Sequence, residues 1–372
     1  MAGAQKRGKT FQYSVSYTVN GKTEQFRKGG FRTKKEAQLA GNEMELQIKK
    51  GHLPSSTPSS PQHIDEYFEK WVELYKPNVA GSTKYNYKYT LNAIKAHFGD
   101  IPLQNLKRHD YQLFLNNFGA TKSRETVEKV HSHIRACIQD AMEDEIIRHD
   151  FTRKAELTWT IKSKKPIEKH LNYNESQRLL NKLFTILDYG LEYYLILLGL
   201  TSGLRFGELV GLTTKDFDFQ SNTINVEKAW GYLKRSPEGF GPTKNEQSNR
   251  IIKIDRRTME AFKKLFRVMP SNVNQLVFFN SNSKYKVISN STANKKLKEI
   301  LKELEINPIT MHGLRHTHAS VLLHRDVSID YVSERLGHSD IQTTFNKYAH
   351  LLQERRIEDE RETMNIFESM VA

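Results

Sequence analysis

Residues 51–61 of this 372-residue chain read GHLPSSTPSSP, and no regular element can run through them. Proline fixes φ and removes a backbone donor, glycine and serine favour turns, and Leu53 alone offers an aliphatic side chain to bury. The stretch is read as a linker, and it forces the chain to fold as separate parts with separate cores. A length suited to two or three domains of roughly 100 to 200 residues agrees. A second connector, basic and proline-containing, is TIKSKKPIEKH at 160–170. The expected segments are therefore 1–52, 62–160 and 168–372.

Each segment has its own pattern. In the first, FQYSVSYTV (11–19) alternates aromatic or β-branched residues with small polar ones, and Asn20-Gly21 suits a two-residue hairpin turn. KTEQFRKGGF then supplies the returning strands. KKEAQLAGNEMELQIKK has helical spacing, with Thr33 as N-cap and Gly51 as stop. The expectation is a small three-stranded β-sheet plus one helix. From Ile64 to about Trp159 the spacing is helical throughout, with Ser82 and Ser123 as N-caps and Gly99 and Gly119 as stops, so the second segment is expected to be all-α. The third is mainly α with a small antiparallel sheet, in which NTINVEKAW and NRIIKID flank GYLKRSPEGFGPTKNEQS and helices resume from Arg257. The fold class is multidomain α+β.

Charge indicates the partner. Lys and Arg number 57 against 43 Asp and Glu, a net +14, and residues 1–50 alone hold 11 of the former and 4 of the latter. Nucleic acid is the natural polyanion for such a chain, and a basic, aromatic β-ribbon could lie in a DNA groove. KYNYKYTL interleaves lysine with tyrosine, which suits a phosphate-facing helix and equally suits tyrosines half-buried in packing. The lone Cys137 can form no intramolecular disulfide and reads as a buried thiol in a reducing compartment. No run approaches the roughly 18 apolar residues of a membrane span and no leader precedes the first strand, so a cytoplasmic protein without a membrane partner is expected.

Two tempting sites fail on physical grounds. GAQKRGKT (3–10) has the spacing of a phosphate-binding loop, but that loop needs a buried strand before it and a helix after it, and here a strand follows. HGLRHTH (312–318) holds three histidines, yet only His312 and His316 share a helix face, and Arg315 beside them repels a cation. No metal and no cofactor are expected. An arginine and a histidine one turn apart suit an anion better.

Four pieces of the last 200 residues carry groups suited to phosphoryl transfer. TSGLRFGEL sets Arg205 after a glycine break at a helix start, with Glu208 placed to orient it. PTKNEQSNRIIKI puts Lys244 in the turn of a β-hairpin, HGLRHT supplies His312 and Arg315, and ERLGHSDIQTTFNKYAHLL supplies His338 and, ten residues on, Tyr348. Phe345 nearby has no nucleophilic atom. In order and local wording these pieces closely resemble the tyrosine recombinase family, the phage-integrase type, across Lys169 to Leu352, and especially the integrases of temperate phages and conjugative transposons of Gram-positive hosts. Many members place the tyrosine nine residues after the histidine rather than ten.

The resemblance implies that Tyr348 attacks the scissile phosphate to give a 3′-phosphotyrosyl link, that Arg205 and Arg315 clamp the non-bridging oxygens, and that Lys244 protonates the leaving 5′-oxygen. His312 would assist proton transfer at the tyrosine and His338 would donate to a phosphate oxygen, while His316 and His318 are read as structural. It implies an arm-type DNA-binding domain, a helical core-binding (SAM-like) domain and a catalytic domain. It also implies double-stranded DNA with core-type and arm-type attachment sites as substrate, a homotetramer on DNA, an excisionase or host DNA-bending partner, and a bacterial cytoplasm. The charged tail LLQERRIEDERETMNIFESMVA, with Ile357, Met364, Ile366 and Phe367, would pack on a neighbouring protomer or stand as a free amphipathic tail. A type IB topoisomerase-like relaxing enzyme would use the same chemistry, but relaxation needs no separate arm-site reader. A catalytically silent DNA-binding regulator would be favoured only if Tyr348, Lys244 or an arginine were missing.

Overall fold

The computed structural model describes residues 3–19, 22–49, 62–99, 101–162, 170–232, 238–354 and 356–370. The Asn20-Gly21 turn, Gly51, the linker 51–61 and residues 163–169 of the second connector lie outside the described residues. Two compact units emerge, Met1–Asn78 with Tyr87–Ile161, and Val79–Asn86 with Lys162–Ala372.

The first unit begins with an antiparallel sheet of β1 (Gly3–Arg7), β2 (Thr10–Val19) and β3 (Lys22–Phe31), followed by α1 (Lys34–Lys49). Period-two alternation turns Tyr13, Val15 and Tyr17 of β2 inward, where Phe26, Phe31, Met44 and Ile48 cover Tyr13 and Val15. Thr33 and Glu36 cap α1 reciprocally: the Glu36 N–H donates to the Thr33 hydroxyl and the Thr33 N–H to the Glu36 carboxylate. The third strand differs from expectation. KTEQFRKGGF is one strand, because Gly30, at φ +100, is the extra residue of a bulge where the register shifts between Phe11 and Gln12. The sheet is completed instead by Gly3–Arg7 at the front, so the GAQKRGKT motif runs along a hairpin.

Helices α2 (Ile64–Tyr75), α3 (Gly81–Phe98), α4 (Arg108–Gly119) and α5 (Arg124–Glu143) follow. Trp71, Phe68, Ile94, Tyr111, Phe114 and Ile134 form their core, each such side chain contributing about 1.5–3 kcal/mol by leaving water. Buried polar atoms are paired across helices: Trp71 Nε1 donates to Asp140 at 2.6 Å, and Tyr111 Oη meets His131 Nδ1 at 2.8 Å. Cys137 is buried on α5, and burial pushes its thiol up. Ser123 stands at the N-cap position of α5 as expected, but its hydroxyl meets Thr126 Oγ1 and makes no hydrogen bond to a backbone N–H of the first turn. Ser82 does not cap α3, which starts one residue earlier at Gly81.

The second unit is built on α7 (Leu191–Ser202), LEYYLILLGLTS, which is apolar nearly all round and therefore buried nearly all round. Around it pack α6 (Tyr173–Ile186), the short α8 (Phe206–Val210), α9 (Arg256–Val268), α10 (Asn290–Glu303) and α11 (Met311–His324). One sheet has the order β4 (Phe217–Asp218), β5 (Thr223–Val226), β8 (Arg250–Lys253); β6 (Lys228–Gly231) and β7 (Gly239–Pro242) pair separately. Then come α12 (Ile329–Leu336), α13 (Ile341–Glu354) and α14 (Arg356–Ser369). Among the described residues no helix is long and apolar enough to cross a membrane.

Candidate active site

Arg205 is the N-cap of α8, and Glu208 fixes it twice. The backbone N–H of Arg205 donates to one Glu208 carboxylate oxygen at 3.1 Å, and its Nη1 donates to the other at 2.7 Å. Nη1 also donates to Ser248 Oγ and Nη2 to the Gly337 carbonyl, both at 2.9 Å. Three of the five guanidinium N–H groups are spent this way, on a side chain 23% exposed above a Glu208 that is 2% exposed. Arg250 of β8 reaches Glu208 from the opposite side at 3.1 Å and donates to the Arg335 and Ser248 carbonyls.

Arg315 lies on α11, which starts at the Thr310 cap, and is only 4% exposed. Its Nη1 donates to the Gly203 carbonyl at 2.8 Å and its Nη2 to the Leu336 carbonyl at 2.7 Å. The acceptors exist because α7 and α12 each end in a left-handed glycine, Gly203 at φ +69 and Gly337 at φ +67. A β-carbon at Gly203 would stand 2.7 Å from His318 Cδ2, and one at Gly337 would stand 2.9 Å from Ser248 Cα. Both positions require glycine for conformation and for space.

Three guanidiniums therefore surround one carboxylate. Burial alone would push the Glu208 carboxyl up, but Arg250, Arg205 and Arg315 together hold it below its ordinary value. Arg315 is pushed down to about 9, first by burial and then by Arg205. Burial likewise lowers Arg250 in spite of Glu208. The cluster carries surplus positive charge in a poorly hydrated place, and an anion arriving beside Arg205 would relieve it.

Tyr348, on α13, is 2% exposed and packs with Leu323, Val332 and Leu336. Burial raises its phenol above the ordinary range, while Arg315 pulls the other way. Its Oη lies 2.9 Å from His316 Nδ1, and the ring of His312 stands edge-on to that of His316, centroids 4.8 Å apart. Thus α11 brings Arg315 and His316 to the tyrosine, with exposed His312 one turn away. His338 follows Gly337 and is oriented by a 2.7 Å bond between Nδ1 and Thr344 Oγ1. His318 is buried, its Nδ1 against the Leu200 carbonyl at 2.9 Å, and its Nε2 accepts from Arg335 Nε at 2.9 Å; burial and then Arg335 lower it to about 3, so it is neutral.

Lys244 is not in a hairpin turn. It is exposed on the connection that leaves β7, because the chain does not fold back on that strand: β8 pairs with β5. The connection is tied to the arginines nonetheless, since Ser248, which accepts from Arg205, donates to Asn245 Oδ1. Sequence reasoning set His316 aside as structural and passed over Ser248, Arg250 and the two glycine carbonyls. The spacing of four between His312 and His316 was the available signal for the first. Among the described residues, no three His, Cys, Asp or Glu side chains are grouped to hold a metal ion.

Comparisons with known proteins place the chain among relatives of known kind. The chain matches the model of the "Phage integrase family" over residues 169–355, that of the "Phage integrase, N-terminal SAM-like domain" over 64–118, and that of an "Arm DNA-binding domain" over 4–48. It is 27% identical over 328 residues to the integrase of Staphylococcus phage L54a, covering 81% of this chain and 92% of that one. It is 31% identical over 232 residues to the tyrosine recombinase XerD of Listeria innocua, covering 62% and 73%. Among solved structures, the Tn1549 transposon integrase in complex with a circular intermediate DNA shares the fold, with a TM-score of 0.66 at 20% identity over 80% of this chain and 99% of that one.

Proposed function

Because the chain belongs to the phage integrase family, as a site-specific tyrosine recombinase, we propose that Tyr348 is its nucleophile and that Arg205, Lys244, His312, Arg315 and His338 complete the catalytic set on double-stranded DNA. The observation that carries this reading is the surplus of guanidinium over carboxylate, Arg205, Arg250 and Arg315 around Glu208, in the same unit as a buried tyrosine. Arg205 and Arg315 would hold the non-bridging oxygens and offset the charge that develops in the transition state. Lys244, on an exposed connection anchored through Ser248, would protonate the leaving 5′-oxygen. His338 would donate to a phosphate oxygen, and His312 would assist proton transfer at Tyr348 through its contact with His316. One phosphodiester is exchanged for another of similar energy, so the step needs neither ATP nor a metal ion.

Around this centre the proposed organisation is an arm-type DNA-binding domain over 1–52, a core-binding domain over 62–160 and a catalytic domain over 168–372. The enzyme would integrate, and with an excisionase or host DNA-bending protein excise, a phage or conjugative element in the cytoplasm of its bacterial host. A homotetramer on DNA is supported by α14, which leaves Met364 and Ile366 exposed for a neighbouring protomer. Of the apolar set expected there, the side chains of Ile357 and Phe367 lie outside the described residues.

The test is incubation with labelled DNA spanning the element's junction, in EDTA and without nucleotide, followed by detergent quench and mapping of the covalent adduct. Wild type should carry DNA on Tyr348, and Tyr348→Phe should bind DNA equally and form no adduct. An adduct on the phenylalanine variant would refute the assignment.

A further inference from the structure

The hydroxyl of Tyr348 lies in hydrogen-bond contact with His316 Nδ1, at 2.9 Å. The phenol is 2% exposed, so its ionised form is disfavoured at neutral pH and attack requires a proton acceptor in contact with Oη as the new bond forms. A neutral imidazole has one unprotonated ring nitrogen and suits that task. His316 adjoins Arg315 on α11, so one rigid helix holds both an oxygen clamp and an acceptor in fixed relation to the tyrosine. The ring of His312 stands edge-on to that of His316, centroids 4.8 Å apart.

We propose that His316 is the general base for Tyr348, a catalytic role that rests on the reading of Tyr348 as nucleophile. In cleavage, the Oη–H proton passes to His316 Nδ1 as the Oη–P bond forms and the P–O5′ bond breaks, and the departing 5′-oxygen takes a proton from Lys244. In rejoining, the attacking 5′-hydroxyl returns its proton to Lys244, the Oη–P bond breaks, and His316 gives its proton back to the phenol. Protons and electron pairs balance over the cycle without an added reactant.

The experiment is single-turnover adduct formation by the full-length protein on nicked junction DNA, with DNA binding followed by gel shift. His316→Ala and His316→Asn should each slow adduct formation by about 10²-fold or more while binding is unchanged, the asparagine offering a hydrogen bond at the Nδ1 position but no basic nitrogen. Placing 3,5-difluorotyrosine, a more acidic phenol, at position 348 should then restore about tenfold or more to His316→Ala and change the wild-type rate little, because only the variant lacks its acceptor. Full recovery in His316→Asn, a rate in either variant within about threefold of wild type, or an equal effect of fluorination with and without His316 would overturn the proposal. Tyr348→Phe in the same assay keeps the two readings apart. An adduct there indicts the nucleophile, whereas a fast Tyr348 adduct in His316→Ala indicts the base alone.

Discussion

Glu208→Gln is the most informative perturbation of the arginine cluster. Glu208 is 2% exposed and receives Arg205 at 2.7 Å, Arg250 at 3.1 Å and the Arg205 backbone N–H at 3.1 Å. Removing one partner from a buried pair costs about 3–5 kcal/mol, because the charge left behind is neither hydrated nor compensated. Glutamine keeps an acceptor for the backbone N–H, but it removes the negative charge and turns an amide N–H toward a guanidinium, so the upper half of that range is expected. For a cooperative unit of about 200 residues each kcal/mol moves Tm by roughly 2–4 °C, which gives a fall of about 8–20 °C in calorimetry near neutral pH. The pH dependence fixes the sign. The folded carboxyl ionises below its ordinary 4.5, so its contribution is complete above that value and is lost as pH falls through the lower folded value. The wild-type and variant Tm curves should therefore separate fully above about pH 5 and converge as the acid limit is approached. Inorganic phosphate should recover part of the variant's loss by filling the charge deficit. A neutral-pH shift under about 2 °C would refute the claim that Glu208 holds the cluster together.

The remaining expectations are simpler. Gly337→Ala should lose about 1–3 kcal/mol in urea unfolding, since the new methyl meets Ser248 Cα at 2.9 Å in a left-handed backbone, and adduct formation should fall with it as the Gly337 carbonyl leaves Arg205; unchanged stability would contradict the fit. Removing residues 1–55 should weaken arm-site binding in gel shifts and leave core-site cleavage intact, and an unchanged integration yield would argue against a separate N-terminal reader.

Much of the fold was legible because it is written in apolar spacing. The all-round apolar run of α7 and the alternation of β2 each need only neighbours in sequence to interpret. What escaped depends on partners far along the chain. Gly3–Arg7 is a polar, exposed edge strand with no apolar alternation to give it away. Lys244 was misplaced because β8 chooses β5 over β7, a pairing set by the core beneath Val226 and Ile252 rather than by any turn signal. On β8, Ile251 is 70% exposed while Arg250 and Ile252 point inward, so the apolar pattern hides an inward arginine. His316 shares a face with His312 in any helical projection, but its partner stands 32 residues later on α13.

The site residues whose types were recognised and the groups that orient them come from different sources. Arg205 and Arg315 were visible as side chains, yet their orientation is imposed mainly by main-chain carbonyls: Gly203, Leu336 and Gly337 accept three of their hydrogen bonds. Those carbonyls point at the guanidiniums because α7 and α12 each terminate through a glycine with positive φ, and a carbonyl, unlike a carboxylate, can align a cation without cancelling its charge. Among the described residues that these arginines bond, Glu208 supplies the full negative charge, so the cluster keeps a net attraction for phosphate. Had each arginine been held by its own carboxylate, geometry would have been secured at the expense of the field that an anionic substrate needs. Helix ends are thus part of the phosphate-binding apparatus, and changes to the packing of α7 or α12 that tilt those carbonyls should be felt in cleavage before they are felt in folding.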